Sequence, residues 1–201
     1  MITQTLASCK GVLCFFPLPT IINGNYLYDK GDTMKAYRIS DLKNFMNQLL
    51  LTDSFDYFLL EEGTIVTANI FQIDGHIQKD FYTKEEQEDT ALCPYEFSLW
   101  KDIRPFCFQL IKGKRTPLSF KFVLLLIPEH MERILSGGDF SDHGNLVKSF
   151  TLTVKYDGSH ATLITGLSTT TFLMDKTPEQ LWDHAFLKFL NNRQIAWEET
   201  G

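Results

Sequence analysis

From Lys35 onward, apolar positions recur with two periods, and the switches between them mark the elements. Lys35 to Ile39 reads as a short strand, and Ser40 as the N-cap of a helix. Leu42, Phe45, Met46, Leu49 and Leu50 lie at helical spacing, which predicts that this amphipathic helix runs to about Leu51. Phe55 to Leu60 and Gly63 to Ile73 read as strands, with Ile65, Thr67, Asn69, Phe71 and Ile73 on one face. Asp74-Gly75 is a hairpin signal, returning the chain as a third strand from His76 to Tyr82.

The acid-rich stretch Thr83 to Pro94 reads as a solvated loop. Ser98 to Lys112 predicts a helix ended by Gly113, with Pro105 tolerated near a first turn or at a kink. Leu118, Phe120, Phe122, Leu124 and Leu126 alternate along a strand that becomes apolar on both faces, so it is interior or helix-covered. Pro128 opens a short helix to Leu135, stopped by Gly137-Gly138 and leading into a polar loop over 139–146. Ser149 to Tyr156 and His160 to Thr165 flank Asp157-Gly158-Ser159, a strong hairpin signal, and Thr169 to Leu173 reads as a further strand. Thr177-Pro178-Glu179-Gln180 has the form of a capping box. The helix it opens should bury Leu181, Trp182, Ala185, Phe186, Phe189 and Leu190 and end at Asn191-Asn192, before a last strand from Gln194 to Glu198.

The order contains a strand–helix–three-strand unit twice, over residues 35–82 and 118–173. That pattern predicts an α+β domain of pseudo-repeated halves, with antiparallel sheet and helices packed on one face. Residues 1–33 read differently: Cys14-Phe15-Phe16-Pro17-Leu18-Pro19 is apolar but broken by two prolines. Lys30-Gly31-Asp32 can be encoded by a bacterial ribosome-binding sequence at a workable distance before Met34. Residues 1–33 are therefore expected to be a translated leader, and residues 34–201 the single folded domain.

Charge adds one feature to this picture. The chain carries 25 acids and 19 bases, a net charge of −6, which argues against indiscriminate binding to nucleic acid or membranes. Yet Lys101 to Lys121 holds Lys101, Arg104, Lys112, Lys114, Arg115 and Lys121 against the single acid Asp102. Such a basic island is a candidate anion-binding surface, with Arg104, Lys112, Lys114 and Arg115 as its contact residues. The competing account is that these cations complement the negative end of a helix dipole and keep an edge soluble. The glycine spacing is not that of a Walker loop.

Other chemistry is sparse. Cys9, Cys14, Cys93 and Cys107 form no C-x-x-C, which suggests free thiols in a reducing cytoplasm, with Cys107 in the core and a Cys93–Cys107 disulfide as the alternative. Asp139, Asp142 and His143 could form a loop metal site, but a polar loop is the simpler account, so no metal or cofactor is implied. Neither G-x-S-x-G nor H-E-x-x-H occurs. The apolar run Phe122 to Ile127 is too short to span a bilayer.

The segment Trp100 to Pro105 and Lys112 to Leu118, with Asp74-Gly75 and Gln78-Lys79-Asp80-Phe81-Tyr82, resembles an uncharacterised family of small proteins from clostridial Firmicutes, over residues 34–198. That resemblance implies no assigned activity and brings no catalytic residues. The doubled unit is also similar to one domain of a DNA sliding clamp, in which helices line the DNA side. Here the helix over 41–51 carries only Lys43 as a base, and that over 129–135 sets Arg133 against Glu129 and Glu132. Three readings are open: a non-enzymatic cytoplasmic binding protein for nucleic acid, another phosphate-bearing partner or an acidic protein; an enzyme with an unrecognised carboxylate or His site; and a module that self-associates through sheet edges.

Overall fold

The computed structural model describes residues 35–88, 94–137 and 146–200. The expected leader, Cys9, Cys14, Cys93 and the Asp139–His143 loop lie outside the described residues. Strands β1 (Ala36–Ile39), β2 (Phe58–Val66), β3 (Ile70–Asp74), β4 (Ser119–Leu126), β5 (Val147–Tyr156), β6 (Ala161–Thr169) and β7 (Trp197–Thr200) form one antiparallel sheet. Its order is β3-β2-β4-β5-β6-β1-β7. The helices are α1 (Leu42–Leu50), α2 (Lys84–Glu88), α3 (Trp100–Ile111), α4 (Pro128–Ser136) and α5 (Thr177–Asn192). The fold is α+β, a multi-stranded antiparallel sheet with helices packed against it.

Alternation along the strands builds the core. Phe120, Phe122, Leu124 and Leu126 of β4 and Phe150, Leu152 and Val154 of β5 point to one face and are buried. They share one cluster with Phe45 and Leu49 of α1, Trp100 of α3, Ile134 of α4, and Trp182, Phe186 and Phe189 of α5. The α5 stripe is the expected one; Trp182 stacks on Phe150 with centroids 5.2 Å apart, and its indole N–H donates to the Thr151 carbonyl at 3.0 Å. Leu59 and Leu125 point to the other face and lie outside that cluster, although both are buried. No helix is long and apolar enough to cross a membrane, among the described residues.

Each repeated unit has two strands after its helix, β1-α1-β2-β3 and β4-α4-β5-β6, one fewer than expected and one fewer than the clamp-like unit. The two are also not side by side: β1 sits between β6 and β7, so the second unit separates β1 from β2. The extra strand is expected because Asp74-Gly75 reads as a hairpin. Instead, the turn joins β2 to β3 at 67–69, where the Thr67 amide donates to the Asn69 carbonyl at 2.8 Å. Asp74 makes a local turn, its carboxylate accepting from the His76 amide at 3.0 Å. Gly75 lies so close to the irregularity in β2 that a Cβ there would fall 1.7 Å from the Leu60 carbonyl oxygen. The glycine serves close backbone approach, not a hairpin.

Local caps differ too. Asp41, not Ser40, caps α1, accepting from the Asn44 amide at 3.0 Å. Part of the expected acidic loop is α2, opened by a reciprocal capping box: the Thr83 hydroxyl accepts from the Glu86 amide at 3.3 Å, and Glu86 accepts from the Thr83 amide at 2.9 Å. The box expected at Thr177 does not form; Thr177 donates to Asp175 from both its amide (2.9 Å) and its hydroxyl (2.7 Å). Thr169 ends β6 and opens no new strand. Pro105 lies inside α3, on the exposed side with Phe106, where the Lys101 carbonyl it leaves without an amide partner is near solvent.

Candidate anion-binding surface

Helix α3 is fixed by its inner face. Trp100 and Cys107 are buried, and the Trp100 indole N–H donates to the Leu49 carbonyl at 2.9 Å. Burial pushes the Cys107 thiol up to about 12, so it behaves as an inert core residue. Arg104 falls at the edge of this face and turns inward. Its Nε faces Asp56 Oδ1 at 3.1 Å, another guanidinium nitrogen donates to Asp56 Oδ2 at 3.3 Å, and a third contact goes to the Thr52 carbonyl. The pair is only 17% and 23% exposed. Burial holds the Asp56 carboxyl above its usual value, against the opposing pull of Arg104. Arg104 thus clamps α3 onto the segment between α1 and β2, with its charge balanced by Asp56.

The other three expected residues are differently placed. Lys112 caps α3, its amide donating to the Phe108 carbonyl at 2.8 Å and its ammonium 5.7 Å from the Phe108 ring centre. Lys114 and Arg115 come next, on an exposed connection closed by buried Pro117. The Leu118 amide then donates to the Val66 carbonyl at 2.8 Å, which registers β4 beside β2. Lys112, Lys114 and Arg115 make no ion pair among the described residues. They are adjacent on one short connection, while Arg104 lies about 12 Å back along the helix from Lys112 by its rise per residue.

The same end of the sheet carries cations that the basic run alone does not reveal. On the face away from the core cluster, one cross-strand row runs Thr64, Lys121, Lys155, Thr162, Arg38, Glu198. Lys121 on β4 and Lys155 on β5 are direct partners, two like charges opposed on central strands, an arrangement that costs stability. Lys121 reaches Glu62 at 2.6 Å; Lys155 has no acidic partner among the described residues. A depression of ≈ 420 Å³ opens here, lined by Thr64, Ser119, Lys121, Lys155, His160 and Thr162, with Phe120, Tyr156 and Asp157 completing it. Asp157 is held in the β5–β6 turn, accepting from the amides of Ser159 (2.9 Å) and His160 (2.7 Å), which lower its pKa. Gly158, at φ 96°, takes the left-handed conformation this turn requires.

Lys155 and His160 escape a reading of the basic run because they are far from it in sequence. The available signals are the alternation of β5, which sets Lys155 opposite to Val154 and Tyr156, and the legible Asp157-Gly158 turn. No group of three or more His, Cys, Asp or Glu side chains is arranged to hold a metal ion, among the described residues.

Neither a curated protein nor a solved structure matches the chain. Residues 48–198, which hold the basic connection and the lysine pair of the sheet, match the model of a family of unknown function (DUF5721), and the chain belongs to that family.

Proposed function

We propose that the protein is a non-enzymatic binding protein that engages an anionic partner, with a nucleic-acid phosphate backbone as the first ligand to test, through Lys112, Lys114 and Arg115. The observation that carries this reading is three exposed cations on one short connection, without an ion pair among the described residues, in a chain of net charge −6. A surface complementing only the α3 dipole would need one cation at the C-terminal end of the helix; Lys112, at the C-cap, meets that need, leaving Lys114 and Arg115 over. Arg104 belongs to this reading as a positioning residue that sets the direction in which α3 delivers the connection. The strongly perturbed acid and thiol favour binding over catalysis, because both sit inside the core: Asp183 and Cys107 are buried.

The test is fluorescence anisotropy of a labelled single-stranded oligonucleotide at low salt. Wild type should bind, and the Lys114→Glu, Arg115→Glu double variant should keep its melting temperature and lose binding roughly tenfold or more. An acidic protein partner would instead leave the oligonucleotide unbound. Equal binding by wild type and variant would remove the connection from the contact surface.

A further inference from the structure

We propose that the face of the sheet away from the core cluster holds a small phosphate-bearing ligand at the Lys121–Lys155 pair, a site separate from the α3–β4 connection. Two lysines opposed across neighbouring central strands repel each other unless something negative lies between them. The protein supplies half of that compensation: Glu62 binds Lys121 at 2.6 Å, and nothing acidic binds Lys155 among the described residues. A phosphate oxygen beside Lys155 would complete it. The surroundings have the chemistry to hold such a group, because the hydroxyls of Thr64, Ser119 and Thr162 line the same depression and can donate to phosphate oxygens.

Size narrows the ligand class. The ≈ 420 Å³ depression falls in the range of roughly 300–1,000 Å³ that small-molecule sites occupy. Phe120 and Tyr156, the neighbouring cross-strand pair, turn their rings to the core side of the same strands and stack there with centroids 5.0 Å apart, while the Tyr156 hydroxyl donates to the Gly158 carbonyl at 2.7 Å. That stack anchors the strands from beneath, and the lysines and hydroxyls lie on their opposite surface. A compact phosphate ester or diphosphate fits this arrangement. Asp157 lines the depression as well and opposes an anion, but two amides of its own turn already hold its carboxylate.

The probe is inorganic pyrophosphate, titrated into the full chain and monitored by amide chemical shifts and calorimetry. The expected result is saturable shifts at Ser119, Lys121, Lys155 and Thr162. Lys155→Gln should weaken binding roughly tenfold. Glu62→Gln should strengthen it, since Lys121 is then released to the ligand. Both positions lie on the solvent face, so the melting temperature checks that the fold is kept. Three outcomes overturn the site: no saturable binding, shifts confined to residues 112–116, or unchanged affinity in Lys155→Gln. The second would leave the anion reading of the α3–β4 connection standing. Tighter binding of an oligonucleotide than of pyrophosphate, lost in Lys155→Gln, would transfer the site from a small ligand to a polymer backbone and overturn the ligand class proposed here.

Discussion

The two faces of the sheet are made by the same strands and have opposite characters. On β4, Phe120, Phe122 and Leu124 are buried under the helices, whereas Lys121 between them is exposed and Val123 half-buried. On β5, Phe150, Leu152 and Val154 go to the core, and Thr151, Thr153 and Lys155 to the other side. One face is therefore a packed aromatic interior, in which volume matters. The other buries Leu59 and Leu125 at one end and bears threonines and exposed lysines at the other, where charge matters more than packing. The large aromatic side chains are concentrated on the core face, whereas Lys121 and Lys155 at the basic end of the other face are exposed.

The largest effect should come from the covered face. Phe186 on α5 is fully buried and packs against Tyr37, Trp182 and Phe189. Phe186→Ala should cost about 3–5 kcal/mol in denaturant unfolding. Thr153→Ala, on the open face, should stay within about 0.5 kcal/mol. Similar costs for the two would break the contrast between faces.

A second effect is pH-dependent. Asp183 on α5 is buried, and its Oδ1 accepts from the Thr165 hydroxyl on β6 at 2.5 Å. Burial pushes its carboxyl up to about 6, which the Thr165 hydrogen bond and the Lys35 charge only partly offset. The folded state therefore binds a proton more tightly than the unfolded chain does. Stability from this group is full below about pH 4 and is lost as pH rises to about 6, amounting to up to about 3 kcal/mol. Asp183→Asn should flatten that fall. A wild-type stability profile that rises between pH 4 and pH 6, and is unchanged in the variant, would reject the assignment.

The Arg104–Asp56 pair should come third. Arg104→Ala leaves a partly buried carboxylate without its cation, and the loss of stability should be about 1–3 kcal/mol. The Lys114→Glu, Arg115→Glu variant should change stability least. If Arg104→Ala proved as neutral as that variant, Arg104 would be a free surface cation after all.

The Trp182, Phe186 and Phe189 stripe, the alternation of β4 and the Asp157-Gly158 turn are legible in the sequence because each depends on neighbours within a few residues. Asp74-Gly75 misleads because the glycine answers to the Leu60 carbonyl, a tertiary contact. Strand order is hidden for the same reason: β1 pairs with β6 and β7, far along the chain. For the candidate surface, exposure of Lys114 and Arg115 can be read from the composition of the connection. The inward turn of Arg104 cannot, because its partner lies 48 residues earlier. Lys155 becomes visible only once the β4–β5 register is known.

The most direct test of the anion-binding reading is the salt dependence of oligonucleotide affinity. With Lys112, Lys114 and Arg115 each neutralising one phosphate of a single strand, log K against log salt should fall with a slope of about −2. The Lys114→Glu, Arg115→Glu variant should bind weakly and with a much flatter slope. A wild-type slope near zero, or a steep slope that the variant retains, would contradict the account.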